Sequence, residues 1–258
     1  MLRSFRSRAL TLAALAFGLI WPGAPADAET YAGANAESRV VLGLAVPPEA
    51  ARAWLPEGWA PLTLPRGPYG GANLIVVLLD RHLQLDATEA ATAPSALRAV
   101  VFASFAVKQG EERPRLFVTR VYSTAAEFNP YGVALGAEIS REMNLAAGED
   151  GMPVRSERWR VAPAAGGTLA LDLSHAVGKQ VWTTGESRIH SAVDPEMSRL
   201  YRYEQVDDMA MSEAMQMPLK GAVALDWALP EFEAVFDGTE TLKTIVSRPH
   251  YLVRIYLP

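Results

Sequence analysis

The chain has 258 residues, half of them apolar and 21% charged, with Gly 19, Pro 18, four His and no Cys. This is globular composition, too apolar for a disordered tail, and the absence of Cys excludes disulfides, zinc–thiolate sites, iron–sulfur clusters and a Cys nucleophile. With 24 basic against 29 acidic residues, the net charge of −5 leaves no electrostatic footprint for nucleic acid.

The N-terminus reads as an address. Arg3, Arg6 and Arg8 precede an apolar run over residues 9–20, and Ala26-Asp27-Ala28 supplies the small-x-small pattern of a signal peptidase site. Twelve helical residues span about 18 Å, short of the ~30 Å hydrocarbon core of a bilayer, so the run is a leader and not an anchor. No twin Arg and no lipobox Cys is present, which points to Sec-type export into the periplasm or medium. Loss of Arg3, Arg6, Arg8 and Asp27 with residues 1–28 leaves a net charge of −7, and residues 29–258 are expected to form a single domain.

Residues 40–46 read as a strand stopped by Pro47-Pro48, and residues 49–55 as a short helix with proline in its first turn. Residues 59–64 are a strand, and the apolar run 72–79 fits a strand covered on both faces. Val101, Ala103, Phe105 and Val107 alternate on one face, and a polar connection leads into residues 115–123, a hairpin. Residues 131–145 are expected to be a helix. Strands follow at 155–161 and 168–173, a helix is expected to start at Asp194-Pro195-Glu196, and 223–229 and 250–257 are late strands. The class expected is α+β, strand-dominated, with a few short helices.

The phrase from Val46 through Pro47-Pro48-Glu49, then Leu55-Pro56-Glu57-Gly58-Trp59 and an apolar strand, resembles the opening of acetoacetate decarboxylase-like proteins. The hairpin at 99–123 is similar to that family's central hairpin, and Leu135-Gly136-Ala137-Glu138-Ile139 to its Gly-Arg-Glu motif. The resemblance covers about residues 40–150 and implies a barrel of curved antiparallel sheets. The family motif carries a Schiff-base lysine whose pKa is lowered by an adjacent cation. Carried over without gaps, the two lysine positions fall on Asn144 and Leu145, the motif Arg on Ala137, and no Lys occurs between Lys108 and Lys179. An amide forms no imine, so the resemblance implies the fold without the family's imine chemistry.

Other chemistry has weak signals. There is no Gly-x-Ser-x-Gly, no phosphate loop and no dinucleotide motif; His82 near Asp80 and Asp86 lacks further metal ligands. Met209, Met211, Met215 and Met217 crowd nine residues, which fits either the lining of an apolar pocket, with Met211 and Met215 on one helical face, or a Cu(I) site. Trp54, Trp59, Phe102, Phe105, Tyr122, Phe128 and Trp182 supply aromatic surface for a pocket. Leu116, Val118, Arg120 and Tyr122 share a face by strict alternation; either it is the pocket side, where Arg120 calls for a carboxylate with Glu138 as the candidate, or it is the solvent side, with Arg120 snorkelling over its neighbours. The expected roles are therefore Arg120 and Glu138 as the catalytic pair and Tyr122, Asn144, Met211, Met215 and Trp182 as ligand-binding residues, with no resident metal or cofactor.

The expected function is to bind a small, largely apolar carbonyl or carboxylate compound, with or without acid/base turnover. The alternatives are a non-catalytic periplasmic binding protein and a Met-cluster Cu(I) protein; neither nucleic acid nor a membrane span is expected, and a homo-oligomer is compatible. Export predicts a mature chain beginning at Glu29, which intact-mass measurement of secreted material checks; retention of residues 1–28 contradicts it.

Overall fold

Alternation of apolar and polar side chains carries most of this chain into strands. The computed structural model describes residues 29–111, 113–148 and 151–258; the leader expected at 1–28 lies outside them. In chain order the elements are β1 (Thr30–Ala45), α1 (Pro48–Arg52), β2 (Trp59–Pro61), β3 (Leu74–Leu85), β4 (Leu97–Lys108) and β5 (Arg115–Ser123). There follow β6 (Ala134–Ala147), β7 (Pro153–Pro163), β8 (Thr168–Ala176), β9 (Val181–Ser191), β10 (Ser198–Ser212), β11 (Gly221–Ala228) and β12 (Thr241–Leu257). No helix among the described residues is long and apolar enough to cross a membrane.

Seven strands pair in the order β5–β9–β10–β12–β1–β3–β4, and β4 pairs back to β5, closing a ring. The ring is not a plain barrel, because β5 has two partners along one edge. Its residues 116–118 run parallel to β9, while residues 121–123 run parallel to β6. From there an antiparallel sheet, β6–β7–β8–β11, leaves the ring and lies against it.

The core sits between these two layers. Val40, Leu42 and Leu44 of β1 and Leu74, Val76 and Leu78 of β3 turn outward and pack with Ile139, Trp159, Val161, Leu169, Leu171 and Leu173 of the second sheet. Phe232, from the 3-10 turn Pro230–Phe232, closes one end by stacking on Trp54 and Phe102 with ring centroids 4.3 and 4.6 Å apart. Each such buried side chain contributes roughly 1.5–3 kcal/mol. A smaller cluster that includes Leu79, Ala99, Val118, Val121 and Tyr131 packs on the inner face of the ring.

Two expectations fail. Residues 131–145, expected as a helix, form β6; Leu135, Ala137, Ile139 and Arg141 alternate toward the ring, and pairing along all of β7 overrides the helix propensity of Ala, Leu, Glu and Met. Asp194-Pro195-Glu196 makes a turn closed by the Met197 amide on the Asp194 carbonyl at 3.0 Å, and β10 follows at once.

Arg141 ties the layers together. Its Nε and Nη2 reach Glu157 Oε2 at 3.0 and 2.9 Å, its Nη1 reaches Asp80 Oδ2 of β3 at 3.3 Å, and Nη1 also donates to the Ser38 hydroxyl of β1. Trp159 Nε1 donates to the same Glu157 oxygen at 3.1 Å. Both partners are almost fully buried. Removing one partner of such a pair leaves an uncompensated charge, so Arg141→Met is expected to cost about 3–5 kcal/mol in chemical denaturation, with much of the loss recovered in Arg141→Met/Glu157→Leu. Equal stability of Arg141→Met and the parent contradicts this account.

Candidate functional site

A single extra residue decides which side chains of β5 face the ring interior. Phe102 pairs with Arg120 but Ala103 pairs with Val118, so Thr119 is bulged, and its hydroxyl donates to the Phe102 carbonyl at 3.1 Å. Leu116 and Val118 before the bulge line the interior, as do Val121 and Ser123 after it. Arg120 and Tyr122 are therefore turned outward, and the strict alternation expected for 116–122 does not hold.

Arg120 does meet a carboxylate, but it is Glu231 of the 3-10 turn, with Nη2–Oε2 at 2.6 Å, and not Glu138. The Tyr122 hydroxyl donates to the other Glu231 oxygen, and the Arg120 guanidinium lies 5.1 Å from the Trp54 ring centroid. Burial, and then the Glu231 carboxylate, push the Tyr122 hydroxyl well above its ordinary pKa. This cluster fastens the turn over the core. Glu138 is exposed on β6.

The ring interior holds a cavity of about 290 Å³. Much of its wall is aliphatic, including Ile75, Val77, Leu79, Val101, Val118 and Ile189, and set into that wall are Asn35, Arg39, Arg81, Gln84, Arg199, Tyr131, Tyr201 and Tyr251. Behind the wall lies Glu37, 2% exposed. It accepts from Asn35 Nδ2 at 3.1 Å, from Arg39 Nε and Nη2 at 2.7 and 2.6 Å, and from Arg81 Nε at 2.9 Å. Arg81 Nη1 is held by Gln84 at 2.6 Å, and the Arg39 guanidinium stacks 3.5 Å from the Tyr251 ring centroid. The Tyr131 and Tyr201 hydroxyls are 2.7 Å apart. Arg199 stands differently: its Nε is buried without a partner, and it forms no hydrogen bond or ion pair among the described residues.

The electrostatics follow from this packing. Burial alone would raise the Glu37 carboxyl, but Arg39 and Arg81 more than offset it and hold its pKa below the ordinary range. Burial raises Tyr131 and Tyr201, and pushes Tyr251 up to about 12 against the pull of Arg39. Arg81, Arg199 and Arg39 all act on the Tyr201 hydroxyl, so the three cations share one space. Elsewhere on β10 and β12, Arg248 is matched by Asp207, Nε–Oδ1 2.7 Å.

The remaining expected residues lie apart from this cavity. Asn144 and Leu145 are exposed on β6. Met211 lies on β10 and packs on the interlayer core, while Met215 is exposed in the turn that follows, so no helix face joins them. Trp182, on β9, is 55% exposed. Of the seven aromatics expected to line a pocket, Phe128 does so here. Among the described residues no group of three or more His, Asp or Glu is placed to hold a metal. None of the four lysines, Lys108, Lys179, Lys220 and Lys243, lines the cavity.

No family model matches the chain, and no curated protein matches it. Solved structures do. The enduracididine biosynthesis enzyme MppR complexed with pyruvate superposes with a TM-score of 0.53 and 14% identity, over 95% of this chain and 96% of that one. The same enzyme with bound HEPES buffer gives 0.53 and 12%, over 88% and 86%. An acetoacetate decarboxylase-like enzyme from Sphingomonas wittichii RW1 gives 0.54 and 11%, over 88% and 91%. The chain thus has the acetoacetate decarboxylase-like fold that its opening phrases resemble.

The shifted groups predict a bell in stability. Glu37, depressed when folded, contributes stability that is present above its ordinary pKa of 4.5 and lost as pH falls through the folded value. Tyr251, raised when folded, contributes stability that is present below 10.0 and lost as pH rises toward about 12. Melting temperature is expected to drop on both flanks, with the acid flank shallower in Glu37→Gln; an acid flank unchanged by that substitution contradicts the assignment.

Proposed function

We propose that this is an exported protein whose ring interior binds a small carboxylate with a largely apolar body. The observation that carries the reading is Arg199, a cation with a buried, unpartnered Nε on the wall of an aliphatic cavity that it shares with Arg39 and Arg81. A carboxylate entering there forms charge-assisted hydrogen bonds in surroundings where they are stronger than in water. The aliphatic wall adds about 25 cal/mol for each Å² of apolar ligand surface it covers. MppR, which shares the fold, has been seen with pyruvate, itself a small carboxylate.

In this reading the anion-orienting role expected of Arg120 falls to Arg199. No lysine reaches the cavity, so any turnover there is free of an imine, and the paired Tyr131 and Tyr201 hydroxyls are the groups placed to pass a proton. Their raised pKa keeps them protonated at neutral pH, as donors.

Calorimetric titration with hexanoate tests the reading. Binding is expected in the parent, weakened at least tenfold in Arg199→Met, and unchanged in Arg202→Met, whose guanidinium pairs with Glu29 and Glu186 instead. Equal affinity in Arg199→Met, or no carboxylate binding by the parent, overturns it. Borohydride with pyruvate is expected to leave no covalent adduct by intact mass, and an adduct on any lysine overturns the imine-free part.

A further inference from the structure

The charges around the cavity do not cancel. Among the described residues three guanidiniums line it, Arg39, Arg81 and Arg199, and no Asp or Glu does. Glu37, in contact with two of them from behind, supplies one negative charge. The tyrosines supply none at neutral pH, since burial keeps Tyr131, Tyr201 and Tyr251 in the neutral form. Arg248 is already matched by Asp207. Two positive charges are left over in a space walled by aliphatic side chains, where an unmatched charge is expensive.

The free donors fall into two groups. Glu37 takes Arg39 through Nε and Nη2 and Arg81 through Nε, and Gln84 takes Arg81 Nη1. That leaves Arg39 Nη1 and Arg81 Nη2 without hydrogen bonds among the described residues, on two guanidiniums held by one carboxylate. The second group is Arg199, with all three nitrogens uncommitted. The first pair is rigid because Glu37 fixes both members, so its geometry is set before any ligand arrives.

We infer that the ligand of this cavity is a small dianion, with negative charge shared between Arg199 and the Glu37-held pair Arg39 and Arg81. The inference rests on the ring interior being the ligand site and adds the charge the ligand must carry. A monocarboxylate neutralises one guanidinium and leaves another unmatched, whereas a dianion balances the site. Two chemistries deliver that charge in a small volume. One is a dicarboxylate with an apolar spacer, and the other is an alkyl phosphate monoester, close to doubly ionised at pH 7.5. A cavity of about 290 Å³ restricts either to a short chain.

Calorimetry on the full mature chain at pH 7.5 and constant ionic strength, with hexanoate, adipate and butyl phosphate, tests the inference. At least one dianion is expected to bind tenfold or more tighter than hexanoate; adipate ahead of butyl phosphate identifies the dicarboxylate, and the reverse order the phosphate. Arg199→Met is expected to bring the preferred dianion down to the level of hexanoate, and Arg199→Lys, which keeps the charge, to retain part of the preference. Hexanoate binding as tightly as both dianions overturns the dianion inference and leaves the carboxylate site standing. Failure of all three probes to bind overturns both.

Discussion

Glu37, closed off from water between Arg39 and Arg81, is the contact on which the interior of this molecule depends. Two guanidiniums on neighbouring strands of a closed ring would repel each other and seek solvent. One carboxylate bonded to both turns them into a fixed part of the wall. In low dielectric the arrangement is stable only because the hydrogen bonds are nearly all made, from Asn35, Arg39 and Arg81 to Glu37 and from Arg81 to Gln84. The ring can hold charged groups in the wall of its hollow because its other face, against β6–β8 and β11, buries many of the large apolar side chains.

The hairpin, the late strands and the strand-rich class were legible in the sequence because alternation is a local signal. The interior was not. It depends on Thr119, a one-residue bulge that reverses the facing of everything after it, and no composition cue marks it. Arg120 was rightly taken to need a carboxylate, yet Glu231 is 111 positions away and is brought there by the turn after β11. Glu37 and Arg39 were passed over although they occupy alternate positions of β1, with Ser38 between them; two charged residues on the same face of a strand were the available signal. The helix expected at 131–145 failed because Arg141, at an inward position, disguised the period of two that Leu135, Ala137 and Ile139 began.

With four lysines in the whole chain and none on the cavity wall, the acetoacetate decarboxylase-like fold here surrounds arginines and tyrosines instead. A fold shared at 11–14% identity leaves the chemistry of the cavity to the residues inside it.

Where a ligand sits tests the inside of the ring as the binding site. Crystals grown with a bromine-bearing alkyl carboxylate locate the ligand through the anomalous signal of bromine. The account predicts a bromine peak among Ile75, Val77, Leu79 and Val118, with the carboxylate within hydrogen-bond distance of Arg199. A peak on the outer face of the β6–β7–β8–β11 sheet or beside Arg120 and Glu231, with the ring interior holding water alone, would contradict it.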